Sequence, residues 1–249
     1  MTNFYDKVAN KFGKYSSGVK YAKEFLNGDP EEDFKNYLIK YSGKDKRALD
    51  VGCADGRFTL SVADNFGEIV AIDNSSGMLN SAKELQKELN ITNAKFENKD
   101  AYNTGFENQS FDIVYSRRGP TNYDEFARLL KRDGYYLEIE IGEKDTKDIK
   151  IVFGRGQNFG DWDKSRLEIN KKEIELQGFE IIFAKDYEYN EYYSTKEDLD
   201  TFLQSVPIFE DFDSIKDKEL LNKYVSQFKT EKGINLPRHR VVIVAKLIK

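Results

Sequence analysis

The sequence predicts an α/β protein built on an open, mostly parallel sheet, and three observations predict it. From Arg47 onward, short apolar runs alternate with stretches of helical spacing. One of those runs, 48–51, leads directly into a turn of small residues and then a helix. The 39% hydrophobic share, with 18 Phe and 15 Tyr, is enough apolar material to cover both faces of such a sheet. Strands alternating with helices imply βαβ units, whose crossovers are right-handed.

The elements follow in order. Over residues 1–46, Phe4, Val8 and Phe12 recur at i, i+4 and i+8, and Phe34, Leu38 and Tyr41 show similar spacing. Asp29-Pro30 reads as a helix N-cap followed by proline at the first helical position. The region is expected to form two or three helices ahead of the sheet. Strands are predicted at 48–51, 69–72, 111–115 and 135–141, with a weaker one at 94–100. Helices are predicted near 57–65, 76–90 and 122–132. Residues 143–165 read as an irregular insertion, followed by a helix near 168–177 and a long aromatic strand at 179–193. Helices near 195–204 and 216–230 and a last strand at 241–248 complete the pattern. No repeat or low-complexity linker interrupts it. One domain over 1–249 is expected: a helical cap (1–46), a core (47–142) and a C-terminal half (143–249) with insertions at 143–165 and 194–237.

Composition narrows the function classes. A formal net charge of -5 argues against a nucleic-acid footprint, though a local basic patch could be hidden in the sum. With one cysteine, Cys53, and one histidine, His239, an intrachain disulfide and a Cys/His zinc site are both excluded. No stretch approaches the ~20 apolar residues of a membrane helix, and the N-terminus lacks the apolar core of a signal peptide. A cytoplasmic protein without membrane association or metal dependence is expected.

The sharpest motif is Ala48-Leu49-Asp50-Val51-Gly52-Cys53-Ala54-Asp55-Gly56-Arg57-Phe58. Small residues at 52, 54 and 56 let a ligand approach the backbone closely. The helix that follows offers unpaired N–H groups. A dinucleotide loop of the G-x-G-x-x-G type would need glycine at 54 and 57, where Ala54 and Arg57 stand. Asp50 would repel a pyrophosphate but suits a ligand bearing an ammonium group.

With Asp50, Gly52, Ala54 and Gly56 in this spacing, the sequence resembles the class I S-adenosylmethionine-dependent methyltransferases, Ala54 standing where glycine is usual. Three further motifs support the resemblance: Glu68-Ile69-Val70-Ala71-Ile72-Asp73, a strand ending in an acid; Asn98-Lys99-Asp100-Ala101; and Phe111-Asp112-Ile113-Val114-Tyr115-Ser116. The resemblance covers 48–116 closely and extends loosely to Gly142, and Phe4-Tyr5-Asp6-Lys7-Val8-Ala9 is similar to the opening of many members. It implies a Rossmann-like open sheet of seven strands, mostly parallel, with helices on both faces and an antiparallel last strand. It implies S-adenosyl-L-methionine as methyl donor, leaving S-adenosyl-L-homocysteine. Asp50, Gly52, Cys53, Ala54 and Gly56 would form the cofactor loop. Asp73 would take the ribose, Asn74 and Met78 would lie near the adenosine, Asp100 and Ala101 would meet the adenine, and Ser116 would sit beside the transfer site. Asp73 and Ser75 can equally act as helix caps.

Ligands of open parallel sheets bind beyond the carboxyl ends of the strands. After the fourth core strand come Arg117 and Arg118, whose planar guanidiniums suit an anionic or carboxylate-bearing substrate. One of them could equally pair with a nearby acid. Glu140, Glu143 and His239, in that order, are candidate general bases. The same glutamates could pair with arginines, and a lone histidine at a strand entrance is more often structural. The leading expectation is methyl transfer to an O or N atom of a small molecule, with 1–46 and 194–237 as covers. The alternatives are an RNA or protein methyltransferase, RNA being supported if Arg117, Arg118, Arg155, Arg238 and Arg240 form a basic strip, a nicotinamide-dependent oxidoreductase, and a non-catalytic binding module.

Overall fold

The computed structural model describes residues 4–12 and 18–248. Of the expected cap over 1–46, residues 1–3 and 13–17 therefore lie outside the described residues. The cap contains two helices, α1 (Phe4–Phe12) and α2 (Pro30–Tyr41). Asp29 caps α2 as its sequence suggested: its carboxylate accepts from Glu31 N at 2.9 Å, and Pro30 follows at the first position. Phe34 and Leu38 then point into the core.

The core runs β2 (Gly43–Val51), α3 (Arg57–Val62), β3 (Phe66–Asp73), α4 (Ser76–Glu88), β4 (Ala94–Asn98), β5 (Phe111–Arg117), α5 (Tyr123–Leu129) and β6 (Leu130–Ile141). The second half holds α6 (Lys147–Phe153), α7 (Arg166–Leu176), β7 (Phe179–Tyr193), α8 (Lys196–Ser205), α9 (Lys218–Phe228), β8 (Lys229–Thr230) and β9 (Gly233–Leu247). An edge strand, β1 (Tyr21–Phe25), precedes α2. The sheet order is β1-β7-β9-β6-β5-β2-β3-β4, with β8 paired to β9. β4, β3, β2, β5 and β6 are mutually parallel, and β9, β7 and β1 join antiparallel.

The expected Rossmann-like architecture is present, with nine strands in place of seven. The additions are β1, in a region read as helical, and the two-residue β8. The last strand also begins eight residues earlier than expected, at Gly233, so the expected insertion at 194–237 ends inside the sheet. The expected irregular insertion at 143–165 contains α6.

Alternation along the strands divides the core. Ala48, Ile69, Ile113 and Tyr115 face Phe34, Leu38 and Val62, on the side of α2 and α3. Leu49, Val51, Val70 and Val114 face Phe126, Leu129, Leu167 and Ile174, on the side of α5 and α7. The β2–α3–β3 and β5–α5–β6 connections run in opposite directions along the sheet, so right-handed crossovers put them on opposite faces. The order therefore reverses between β2 and β5, where a crevice opens at the strands' carboxyl ends. A third cluster packs α6, α8 and α9 against the far ends of β7 and β9, through Tyr193, Leu199, Leu203, Tyr224 and Leu236. No described helix is long and apolar enough to cross a membrane.

Candidate active site

At the reversal point lies a cavity of about 460 Å³. The end of β2 contributes Asp50, the loop after it Gly52, Cys53, Ala54 and Asp55, and the end of β3 with α4 contributes Asp73, Asn74 and Met78. Asp100 and Ala101 follow β4, Arg117 and Arg118 close β5, and Tyr5 reaches in from α1.

Two glycines shape the meeting of the loops after β2 and β5. Gly52 has φ +76°, and a Cβ there would come within 3.1 Å of Gly119 Cα. A Cβ on Gly119 would in turn lie 2.7 Å from Val51 O, which no side chain tolerates. Ala54 also holds a left-handed conformation, φ 46°, so the residue that replaces the usual glycine keeps the glycine geometry under strain. Its N–H donates to Asp73 Oδ2 at 2.9 Å, while Ser75 N donates to Oδ1 at 2.8 Å. Asp73 thus ties the two loops together, and Ser75 is the residue that caps α4, accepting from Met78 N.

Asp50 is buried and accepts from Thr59 Oγ1 at 2.6 Å. Burial pushes its carboxyl up to about 6, against the pull of that hydrogen bond and of the Arg117 charge. Burial likewise raises Asp73, partly offset by its backbone donors. Asp100 accepts from Tyr102 N at 2.9 Å, closing a turn at the cavity edge.

Arg117 and Arg118 both line the cavity, and both bind Glu31, at 2.6 and 2.5 Å. The Arg117 guanidinium also lies over the Phe58 ring, 3.9 Å from its centroid. Burial alone would raise the Glu31 carboxyl, but the Arg118 and Arg117 charges overcome it and hold the group well below the usual carboxylate range.

The structure brings together nine of the eleven expected cofactor residues and both arginines. Gly56 and Ser116 are not among the lining residues. Gly56 is required by packing: a Cβ there would meet Phe96 at 2.7 Å and Ala82 at 2.8 Å. Ser116 is fully buried behind Gly119.

None of the three candidate bases lines the cavity. Glu140 is half-buried beside Glu138, and burial, reinforced by the Glu138 charge, pushes its carboxyl up. Glu143 accepts from Arg166 N at the start of α7. His239 stacks against the backbone of Gly142, where a Cβ would lie 2.2 Å from Nδ1. Its Nδ1 accepts from Lys144 N at 3.2 Å, leaving Nε2 to donate to Asp186 at 3.1 Å. These contacts give the ring a bracing part. The expected cover from 194–237 is also displaced, because α8 and α9 are occupied by the third cluster and contribute nothing to the lining.

The five arginines do not form a basic strip. Arg238 and Arg240 are buried on Asp145, and Arg155 pairs with Asp211 and Asp217. Among the described residues, no group of three or more His, Cys, Asp or Glu side chains could hold a metal ion.

Sequence reasoning missed Phe58, Lys99 and Tyr102 in the cavity wall, and Glu31 behind it. Lys99 lies inside a motif that was read and Tyr102 directly follows it, so adjacency could have found them. Glu31 stands 86 residues from Arg117, and no local pattern joins them.

Comparison with known proteins agrees with this geometry. Residues 48–134 match a family model described as a methyltransferase domain. The chain is 30% identical over 155 residues to the ubiquinone/menaquinone biosynthesis C-methyltransferase of Campylobacter jejuni, covering 57% of this chain and 60% of that one. It is 35% identical over 160 residues to the demethylmenaquinone methyltransferase of Staphylococcus aureus, covering 59% and 66%. The alignments thus span about two thirds or less of these relatives' length. The crystal structure of the YcgJ protein from Bacillus subtilis superposes with a TM-score of 0.64 at 16% identity, over 88% of this chain and 99% of that one, a likeness of fold. With the strand order, the acid-led loop after β2 and these matches taken together, the chain carries a class I S-adenosylmethionine-dependent methyltransferase domain.

Proposed function

We propose that the protein transfers a methyl group from S-adenosylmethionine to an O or N atom of a small molecule. The observation that carries this reading is the single cavity in which the loop after β2, the ends of β3 and β4, and the Arg117–Arg118 wall meet. The residues fit the donor. The absence of side chains at Gly52 and Gly119 opens the backbone cradle, and Asp50 offers a buried carboxylate to an ammonium. Asp73 sits at the end of β3 with its carboxylate held by the backbone N–H groups of Ala54, Asn74 and Ser75, which orients it toward a ribose. Asp100 and Ala101 would hold the base.

The sulfonium supplies a methyl group already activated for transfer, so the protein must mainly align the partners and keep the site dry. Tyr5, Phe58, Met78 and Pro120 supply the apolar wall that excludes water. With Glu140, Glu143 and His239 outside the lining, the reading favours an acceptor atom that is nucleophilic without help from those residues. The Campylobacter jejuni relative is named for C-methylation, which makes a carbon acceptor the second reading.

Coupled detection of S-adenosylhomocysteine release across a panel of small phenols, amines and acids tests the proposal. Turnover with at least one small acceptor is expected. Binding of S-adenosylhomocysteine with no turnover across the panel would instead favour a binding module.

A further inference from the structure

Glu31 is an unusual partner for two arginines of a cavity wall. It comes from the first turn of α2, does not itself line the cavity, and places one carboxylate oxygen on each guanidinium. Anchoring α2 does not rest on it alone, because Phe34 and Leu38 on the same helix are fully buried. Both arginines are constrained by other means as well. The Arg117 guanidinium lies over the Phe58 ring, and the Arg118 backbone is held at φ 58°, a left-handed conformation that non-glycine residues disfavour. Both side chains keep about a fifth of their surface accessible, 22% and 23%. A guanidinium has five N–H donors, so each arginine can engage a second anion.

Building on the methyl-transfer reading, we propose that Arg117 and Arg118 receive an acid group of the methyl acceptor, a carboxylate or a phosphate, and that Glu31 is the internal anion that occupies the pair in its absence. The bridging carboxylate marks the shape of ligand that the pair accepts. It also tempers affinity, since an incoming anion meets a charge already beside the guanidiniums.

The two roles of the ion pair predict opposite outcomes. The probes are benzoate, phenyl phosphate and the neutral benzamide, titrated by calorimetry into the full chain with and without S-adenosylhomocysteine. Benzoate or phenyl phosphate should bind at least about tenfold more tightly than benzamide. Arg118→Gln should erase that preference, and Glu31→Gln should strengthen acid binding by roughly three- to tenfold. A merely structural pair would make both variants lose binding together. Equal affinity of the wild type for acid and amide, or weakening of acid binding by E31Q in step with R118Q, overturns the proposal. The wild-type and E31Q arms keep the test readable if R118Q does not fold. Failure of S-adenosylhomocysteine to bind would remove the methyl-transfer reading, while the acid preference is still read in the titrations without it.

Discussion

Ala54 is the residue at which this loop departs from the usual glycine, and its left-handed φ of 46° shows the consequence. Replacing it with glycine should relieve strain of about 1 kcal/mol, partly offset by the greater freedom of the unfolded chain. A54G is therefore expected to raise Tm by a degree or more, which a thermal melt at fixed pH checks. Asp50 makes a prediction about pH. Its folded value of about 6 lies above the ordinary 3.8, so the folded state binds the proton more readily. Ionising it costs stability that grows as pH rises from 3.8 through about 6. A ligand ammonium favours the ionised form, so affinity for S-adenosylhomocysteine should fall as pH drops through 6. Titrations between about pH 5 and pH 8 should show that slope in the wild type and lose most of it in Asp50→Asn.

At the scale of elements, local signals were legible and long-range ones were not. The cap of α2 is written in Asp29-Pro30, and the loop after β2 in an acid followed by small residues, because each depends on neighbours in sequence. β1 was hidden because Tyr-Ala-Lys-Glu-Phe lies largely exposed at a sheet edge and shows little alternation to read. The early half of β9 was hidden by Pro237, Arg238, His239 and Arg240, which look like a polar turn. Arg238, His239 and Arg240 enter the sheet because Asp145, Glu191 and Asp186, distant in sequence, neutralise or bond them. The same pairing misled the expectation for His239, since a histidine's partners cannot be seen in its own segment. If the ring is a brace, His239→Asn should lower Tm by several degrees while leaving the dissociation constant for S-adenosylhomocysteine within about twofold. Parallel melts and titrations of that variant separate bracing from ligand contact.

Across the whole molecule, acids from three separate strands and two arginines from a fourth reach one crevice because the strand order reverses between β2 and β5. Glycine at 52 and 119 lets the two loops pass in contact, and α1 adds Tyr5 to the cavity wall. That crevice suits a nucleoside with an ammonium-bearing tail, not a pyrophosphate. Calorimetric titration of the purified chain with S-adenosylhomocysteine and, separately, with NAD tests this most directly. S-adenosylhomocysteine is expected to bind with a Kd below about 100 μM, weakened at least about tenfold in Asp73→Asn, with no measurable binding of NAD. Tight binding of NAD with S-adenosylhomocysteine ignored at millimolar levels would contradict it.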